Sequence, residues 1–380
     1  MNKMQRHNKY PAISDLAAKA KQRIPHFSWE YLDSGTGIED CVQRNRDAFS
    51  AVTLTPQFMQ GFIEPDTRTT LFGTEYALPF GVAPVGLTGL MWPEAEKMLA
   101  RAAAAYQLPY SLSTVATEAP ETIGPLTQGM GWFQLYPPHR QEMRQDLLKR
   151  AKDAGFTTLL ITADVPTGST RERQRRAGVT VPPKINLRTL YHAAIRPEWA
   201  LRTLQYGQPR FRGLEKYADA KAMQEMTAFM GDNLGGTLDW EYLEAVRKEW
   251  DGPILLKGVL DVEEAKQAAA IGLDGVVVSN HGGRQCDGVP AALTVLPNIK
   301  QAVPEDFKVL YDSGVRTGLD IIRALALGAD FVLLGRPFMY GVAALGEVGG
   351  KHAIEILRDD LKNNMIQLGC RSLDELPMRR

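Results

Sequence analysis

The 380-residue chain is 44% hydrophobic and carries 44 basic against 44 acidic residues, a formal net charge of zero. That size and apolar content suffice for one large core, a barrel with an extra lobe as readily as two domains, and the charge balance argues against a nucleic-acid or polyanion binder. Cys41, Cys286 and Cys370 are scattered without paired spacing, so they indicate neither a disulfide framework nor a zinc site and suit a reducing cytoplasm.

Met1–Tyr10 is polar and basic and lacks the apolar core of a signal peptide, and no run approaches the roughly 18 apolar residues of a transmembrane helix. Pro11–Arg23 predicts a short helix capped near Ser14, and Ser28–Leu32 another ended by Gly35. Both precede any repeating pattern. Residues 1–77 therefore read as an N-terminal cap, with Tyr31 as an aromatic of its interface.

From Leu78 an apolar strand, a polar turn and an amphipathic helix recur. The strands centre on Phe80–Ala83, Tyr110–Leu112, Trp132–Leu135, Leu159–Thr162, Ile254–Leu256, Val276–Ser279, Val309–Tyr311 and Phe331–Leu334. Helices are predicted over Pro93–Tyr106, Arg140–Ala154, Leu238–Trp250, Asp261–Ile271, Gly318–Leu327 and Val342–Leu368. Eight such units with continuously apolar strands predict an α/β fold, a closed (β/α)8 TIM barrel with N-terminal capping helices. Each strand hands over a polar residue or glycine at its C-terminal end: Pro84 and Gly86, Ser113, Gln134 and Tyr136, Thr162 and Asp164, Lys257, His281 and Arg284, Asp312, then Gly335 and Arg336. Only the rim of a packed barrel accepts a ligand, so this series reads as a ring around one.

After the fourth strand, residues 171–238 form an insertion far longer than the about 2–6 residues usual for a βα loop. Arg171–Lys216 holds eleven Lys or Arg against three Glu, with Leu187, Leu190, Tyr191, Ala194 and Ile195 at helical spacing and Trp199, Leu201 and Leu204 following. A basic amphipathic segment of this kind fits a membrane-surface anchor, or equally a lid or subunit-interface helix packed on the barrel.

The stretch Lys257–Gly288 places a lysine at the end of one strand and Asn280, His281 and Arg284 at the end of the next, on backbone loosened by Gly282 and Gly283. A histidine in that position is often only a satisfied hydrogen-bonding group. The last two loops, D-S-G-V-R-T-G and L-L-G-R-P, combine Gly314, Gly318 and Gly335 with Arg316 and Arg336, which is the make-up of a phosphate site.

The motif S-N-H-G-G-R-Q resembles the signature of the FMN-dependent 2-hydroxy acid dehydrogenases and oxidases, and with the matches above the likeness runs from about Tyr10 to Leu373. The resemblance implies a single barrel domain over residues 1–380 that binds FMN and oxidises an L-2-hydroxy acid to a 2-keto acid. It implies a cofactor site of Pro84, Val85, Gly86, Ser113, Gln134, Thr162, Lys257, Ser279, Asp312, Gly314, Arg316, Gly335 and Arg336, with the phosphate in the last two loops and Lys257 beside the pyrimidine end of the flavin. Tyr31 is then expected on the substrate carboxylate. The insertion, over 177–216, and the motif A-P-V-G-L resemble the bacterial lactate and mandelate dehydrogenases of the inner membrane, since the oxidases tend to carry Ala where Gly86 stands. The resemblance further implies a peripheral place on the inner face of the cell membrane, a quinone or other membrane acceptor, and a tetramer; no metal is expected.

Chemistry assigns roles within that set. Arg171 and Arg284 suit a bidentate carboxylate clamp, and His281 suits a base because its ordinary pKa lies near working pH. Asp164 is expected to stabilise the imidazolium, and Tyr136 to hydrogen-bond the substrate hydroxyl or the developing carbonyl oxygen. Val115 stands where glycolate oxidase has tryptophan, Pro137 and Pro138 are placed to reshape the pocket, and Cys286 replaces a leucine and is expected to be a small buried apolar residue, the alternative being an exposed, activated thiol between His281 and Arg284. The alternatives are a soluble oxidase that forms peroxide, another FMN barrel chemistry such as isomerisation of a phosphorylated substrate, and a non-catalytic flavin-binding or membrane-docking protein.

Overall fold

A computed structural model describes residues 1–179, 186–218, 226–236 and 238–379. Eight parallel strands close into a barrel: β1 (Phe80–Val82), β2 (Tyr110–Ser113), β3 (Gly131–Leu135), β4 (Thr158–Thr162), β5 (Ile254–Val259), β6 (Gly275–Val278), β7 (Lys308–Tyr311) and β8 (Phe331–Leu334), with β8 pairing back onto β1 through Val332 and Phe80. The predicted (β/α)8 fold is the one observed, and each predicted strand matches its counterpart to within one residue at either end, except that β5 runs three residues further, to Val259.

Side chains alternate across each strand, so every strand serves two cores. Trp132, Leu160, Leu255, Val277 and Leu310 fill the barrel interior, while Phe133, Leu159, Ile254, Val276 and Val309 pack against the surrounding helices. An antiparallel hairpin, Thr69–Leu71 with Thr74–Tyr76, closes the interior at the opposite end from the rim: Leu71 and Tyr76 join the inner cluster, and Trp132 Nε1 donates to the Tyr76 hydroxyl at 3.1 Å.

Several boundaries differ from expectation for identifiable reasons. The first long cap helix spans Ile13–Arg23 and starts at Ala12, whose N–H donates to Asp15 at 2.9 Å, so Asp15 and not Ser14 satisfies its N-terminus. The next spans His26–Asp33 and ends at Ser34; Gly35 is needed instead where the cap meets the rim, because a Cβ there would lie 2.7 Å from the Gly283 carbonyl oxygen. The helix predicted over Val342–Leu368 is two, Arg336–Leu345 and Glu347–Leu368, broken at Gly346 where φ is +65°. Helices Lys3–Lys9, Asp40–Ser50 and Ala292–Ala302 were not anticipated. Within the insertion, helices Leu187–Ala194, Pro197–Tyr206 and Met226–Asn233 are described, and residues 180–185, 219–225 and 237 lie outside the described residues.

Candidate active site

Continuing the inward register of the strands by two residues brings Gln134 after Trp132, Thr162 after Leu160, Lys257 after Leu255, Ser279 after Val277 and Asp312 after Leu310. The sequence thus switches from apolar to polar on one face at one level of the barrel. A belt of hydrogen bonds results. Ser113 donates to Gln134 at 2.8 Å, Gln134 to Thr162 at 2.8 Å, and Lys257 donates to Ser279 at 3.0 Å and pairs with Asp312 at 2.8 Å. Burial opposes the Lys257 charge, but Asp312 and Asp164 outweigh it and hold its pKa above the ordinary lysine value.

Above this belt lies a cavity of about 580 Å³, within the ~300–1,000 Å³ of small-molecule sites. Tyr31, Pro84, Val85, Gly86, Gln134, Tyr136, Thr162, Arg171, Lys257, His281, Arg284, Asp312, Gly314, Arg316, Gly335 and Arg336 all line it. Ser113, Ser279 and Asp164 stand behind the wall and act through the side chains they bond.

The turn after β6 carries left-handed backbone at His281, Gly282 and Gly283 (φ 57°, 64° and 74°). That is an uncommon conformation for histidine. It is held from two sides: the His281 N–H donates to Ser279 Oγ at 3.0 Å, and the Gly282 N–H to Ser313 Oγ at 3.1 Å. The ring then meets Asp164 with Nδ1 and Oδ1 2.9 Å apart. An ionised carboxylate only accepts, so Nδ1 carries the proton and Nε2 is the ring's open acceptor. Asp164 fits because β5 bulges at Gly258, which has φ +104°; a Cβ there would come within 2.5 Å of the Asp164 side chain.

Burial opposes ionisation of Asp164, but the His281 ring and its hydrogen bond outweigh burial and leave the pKa below the ordinary carboxylate value. Burial also lowers the His281 pKa; Asp164 pulls it upward, while Lys257 and Arg171 reinforce the fall. The resting pair is therefore an ionised carboxylate and a neutral imidazole. Burial drives the Tyr136 phenol up to about 12, so it keeps its proton and can donate.

Four arginines reach the cavity, and the hydrogen bonds of their guanidinium groups go to backbone carbonyls or neutral side chains. Arg284 donates to the Tyr31 and Leu32 carbonyls, with its guanidinium 5.2 Å from the Tyr31 ring centroid; Arg171 donates to Ser169 and Gln285. Arg316 donates to the Val315 carbonyl, and Arg336 to those of Leu32, Gly282 and Ser34. Burial together with Arg171 and Arg336 brings the Arg284 pKa down to about 9, an electrostatic cost that a bound anion relieves. Tyr31 donates from its hydroxyl to the Gly86 carbonyl at 3.1 Å, placing the cap over the rim.

Two expectations fail. Gly318 does not line the cavity: a Cβ there would lie 2.2 Å from the Leu361 backbone nitrogen, so it serves helix packing. Cys286 is exposed and lies outside the cavity wall, not buried as an apolar residue. The sequence reading also missed the end of the insertion, where Met230, Gly231, Leu234 and Gly235 form part of the wall. The Gly235 N–H donates to the Pro137 carbonyl at 2.8 Å and Leu234 bridges Pro138, so the proline pair anchors this wall. The apolar run Phe229–Met230 followed by Leu234–Gly235–Gly236 was the available signal.

Comparison with known proteins gives this geometry its context. A model of the FMN-dependent dehydrogenase family matches residues 20–380. The chain belongs to that family. The L-lactate dehydrogenase of Pseudomonas aeruginosa (strain LESB58) is 39% identical over 96% of both chains, and that of Xanthomonas euvesicatoria is 39% identical over 96% of this chain and 94% of its own. The crystal structure of the monotopic membrane protein (S)-mandelate dehydrogenase superposes with a TM-score of 0.90 at 32% identity, covering 97% of this chain and 98% of that one. Mandelate oxidase follows with a TM-score of 0.83 at 34% identity over 97% of each.

The family cofactor, FMN, fits the residues present. Arg316 and Arg336, which have no carboxylate partner among the described residues, suit its phosphate, and the polar belt offers donors and acceptors to a heteroaromatic ring.

An imidazole accepts a proton only when neutral, and the lowered His281 pKa keeps it neutral to more acid pH. For the FMN-loaded enzyme, kcat/KM should hold as pH falls through about 6.5, with its acid limb below that value. Gly258→Ala, which displaces Asp164, should keep its flavin and lower kcat/KM by about 100-fold. A limb at or above 6.5, or an unchanged Gly258→Ala profile, would contradict this assignment.

Proposed function

We propose that the protein oxidises an L-2-hydroxy acid, R–CHOH–COO⁻, to the 2-keto acid and passes the electrons on to a quinone or other membrane acceptor. The observation that carries this reading is the placement of a neutral imidazole backed by a buried carboxylate in the same cavity as Arg171 and Arg284, whose guanidiniums have donors to spare. Bound FMN supplies a two-electron acceptor.

Arg284 has five N–H donors and uses two on backbone carbonyls, so the remainder can take a substrate carboxylate together with Arg171. Tyr31 adds a donor from the cap once its hydroxyl turns from the Gly86 carbonyl to the substrate. Tyr136, held in its phenol form, donates to the substrate oxygen as that becomes a carbonyl. His281 takes a proton at Nε2, and Asp164 stabilises the imidazolium through Nδ1. The substrate loses a C–H and an O–H bond and gains a C=O bond; removal of the α-proton and removal of the hydroxyl proton make the same demands on these side chains. Lys257, fixed by Asp312 and Ser279, would set a positive charge beside the flavin, and Arg316, Arg336, Gly314 and Gly335 would hold its phosphate.

Supporting electron delivery to a membrane, the helix Leu187–Ala194 buries none of its residues, and Leu187, Leu190, Tyr191, Leu201 and Leu204 are exposed beside Arg188 and Arg202. The next helix is held to the barrel on one side: Trp199 is buried and donates to the Leu90 carbonyl at 3.1 Å, and Glu198 pairs with Arg23. Among the described residues no helix is long and apolar enough to cross a bilayer, so contact would be with one face only. Gly86 favours a dehydrogenase: a Cβ there would lie 2.6 Å from Val115 Cγ2, so the alanine typical of oxidases would remodel this wall.

Anaerobic mixing with L-lactate or L-mandelate should bleach the flavin, and His281→Asn should bind FMN yet bleach at least about 1,000-fold more slowly; rapid bleaching of the variant would remove His281 from the role. In air, dye reduction should exceed peroxide formation per turnover, whereas stoichiometric peroxide would favour the oxidase reading. The wild-type protein should sediment with anionic lipid vesicles and lose that binding on Leu187→Glu with Leu190→Glu, while turnover with a soluble dye persists. Equal sedimentation of both would exclude this helix as the contact.

A further inference from the structure

Outside the lining of the cavity, the first helix and a late one meet in a cluster to which the chemistry above gives no task. The helix Lys3–Lys9 buries none of its residues, so apolar packing does little to hold it. It lies by the long helix Glu347–Leu368, where His7 stands edge-on to His352 with ring centroids 4.9 Å apart. Glu355, one turn beyond His352, completes the group.

Hydrogen bonding divides these side chains into used and unused atoms. His352 is fully buried and its Nε2 is 2.9 Å from the Tyr10 carbonyl oxygen, which can only accept. The proton therefore sits on Nε2, and Nδ1 presents a bare lone pair. Glu355 uses Oε1 twice, accepting from the Tyr106 hydroxyl at 2.9 Å and pairing with Lys3 at 3.0 Å. That leaves Oε2. His352 Nδ1, Glu355 Oε2 and His7 Nε2 are all shielded from solvent and none makes a hydrogen bond among the described residues. Oε2 is 3.4 Å from His7 Nε2 and 3.8 Å from His352 Nδ1, and all three atoms lie within 4.8 Å of one another.

His352 Nδ1 and Glu355 Oε2 are buried acceptors without a donor, and His7 Nε2 joins them as a third when its ring proton sits on Nδ1; such a group is costly unless a cation or proton sits between its members. Tetrahedral coordination at about 2.0–2.1 Å puts ligand atoms roughly 3.3 Å apart, close to the observed spacing and reachable by a small shift of the lightly held helix. Two imidazoles and one carboxylate suit zinc or a neighbouring divalent transition metal. The Tyr10 carbonyl is the partner that orients a metal-ligating histidine. We propose that His7, His352 and Glu355 form a zinc site, open to one solvent ligand, that clips the N-terminal helix to the helix Glu347–Leu368.

The test uses the full FMN-loaded chain, freed of metal by a chelator and titrated with zinc chloride in a calorimeter. One zinc should bind per chain, with amide exchange slowing over residues 3–9 and 2-hydroxy acid turnover unchanged. His7→Ala and Glu355→Gln should each weaken binding by about 100-fold or more and abolish the protection. His7 is partly exposed on a helix without buried residues, so its variant decides the matter even if Glu355→Gln fails to fold. No uptake by the wild-type chain, or uptake and protection unaltered in His7→Ala, would overturn the site and leave His7 and Glu355 as an ordinary ion pair. Either result is independent of the flavin chemistry, because these residues do not line the active-site cavity.

Discussion

The hydrogen bond between His281 and Asp164 is the contact that the rest of the rim is arranged to permit. It joins the loop after β4 to the loop after β6 across the end of β5, and so requires β5 to yield space. Gly258 yields it through a bulge and a left-handed backbone, and Ser279 and Ser313 hold His281 in a conformation that side chains rarely adopt. Backbone strain of this kind, of order 1–3 kcal/mol, persists only where the surroundings over-determine it. Here they do so from three strands at once.

Charge divides the site into a balanced part and an unbalanced part. Lys257 and Asp312 are buried together with their hydrogen bonds met, and breaking such a pair costs about 3–5 kcal/mol. They belong to the floor as much as to the chemistry. Arg171, Arg284, Arg316 and Arg336 share the cavity without carboxylates of their own among the described residues, and the Arg284 pKa is depressed. A cavity that concentrates unneutralised guanidiniums is organised for anions, which in this family means a cofactor phosphate and an acidic substrate.

Much of this was legible because strand periodicity and strand ends are local properties. An apolar run fixes a strand, and the residue at its C-terminal end comes to the rim, which is how Gln134, Thr162, Lys257 and Asp312, all of which line the cavity, could be read as a ring. What escaped depends on distant partners. The hairpin Thr69–Tyr76 has strands of three residues, too short to show a period, and Pro297 disguises the helix Ala292–Ala302. Whether Leu234 covers the cavity or solvent depends on the prolines it meets at 137 and 138. Cys286 occupies a leucine position of the motif, yet its loop leaves it in solvent. His7 and His352 lie at opposite ends of the sequence, so no spacing motif could join them.

The proposed chemistry needs one cavity to present a base, an anion clamp and a flavin to the same substrate. It is tested most directly by a crystal structure of the FMN-loaded protein with its 2-keto acid product bound. The product carboxylate should lie between Arg171 and Arg284, and its keto oxygen within hydrogen-bond reach of Tyr136 and His281 Nε2, with Nδ1 still on Asp164. A product carboxylate held elsewhere, or a His281 ring turned away from both Asp164 and the product, would contradict it.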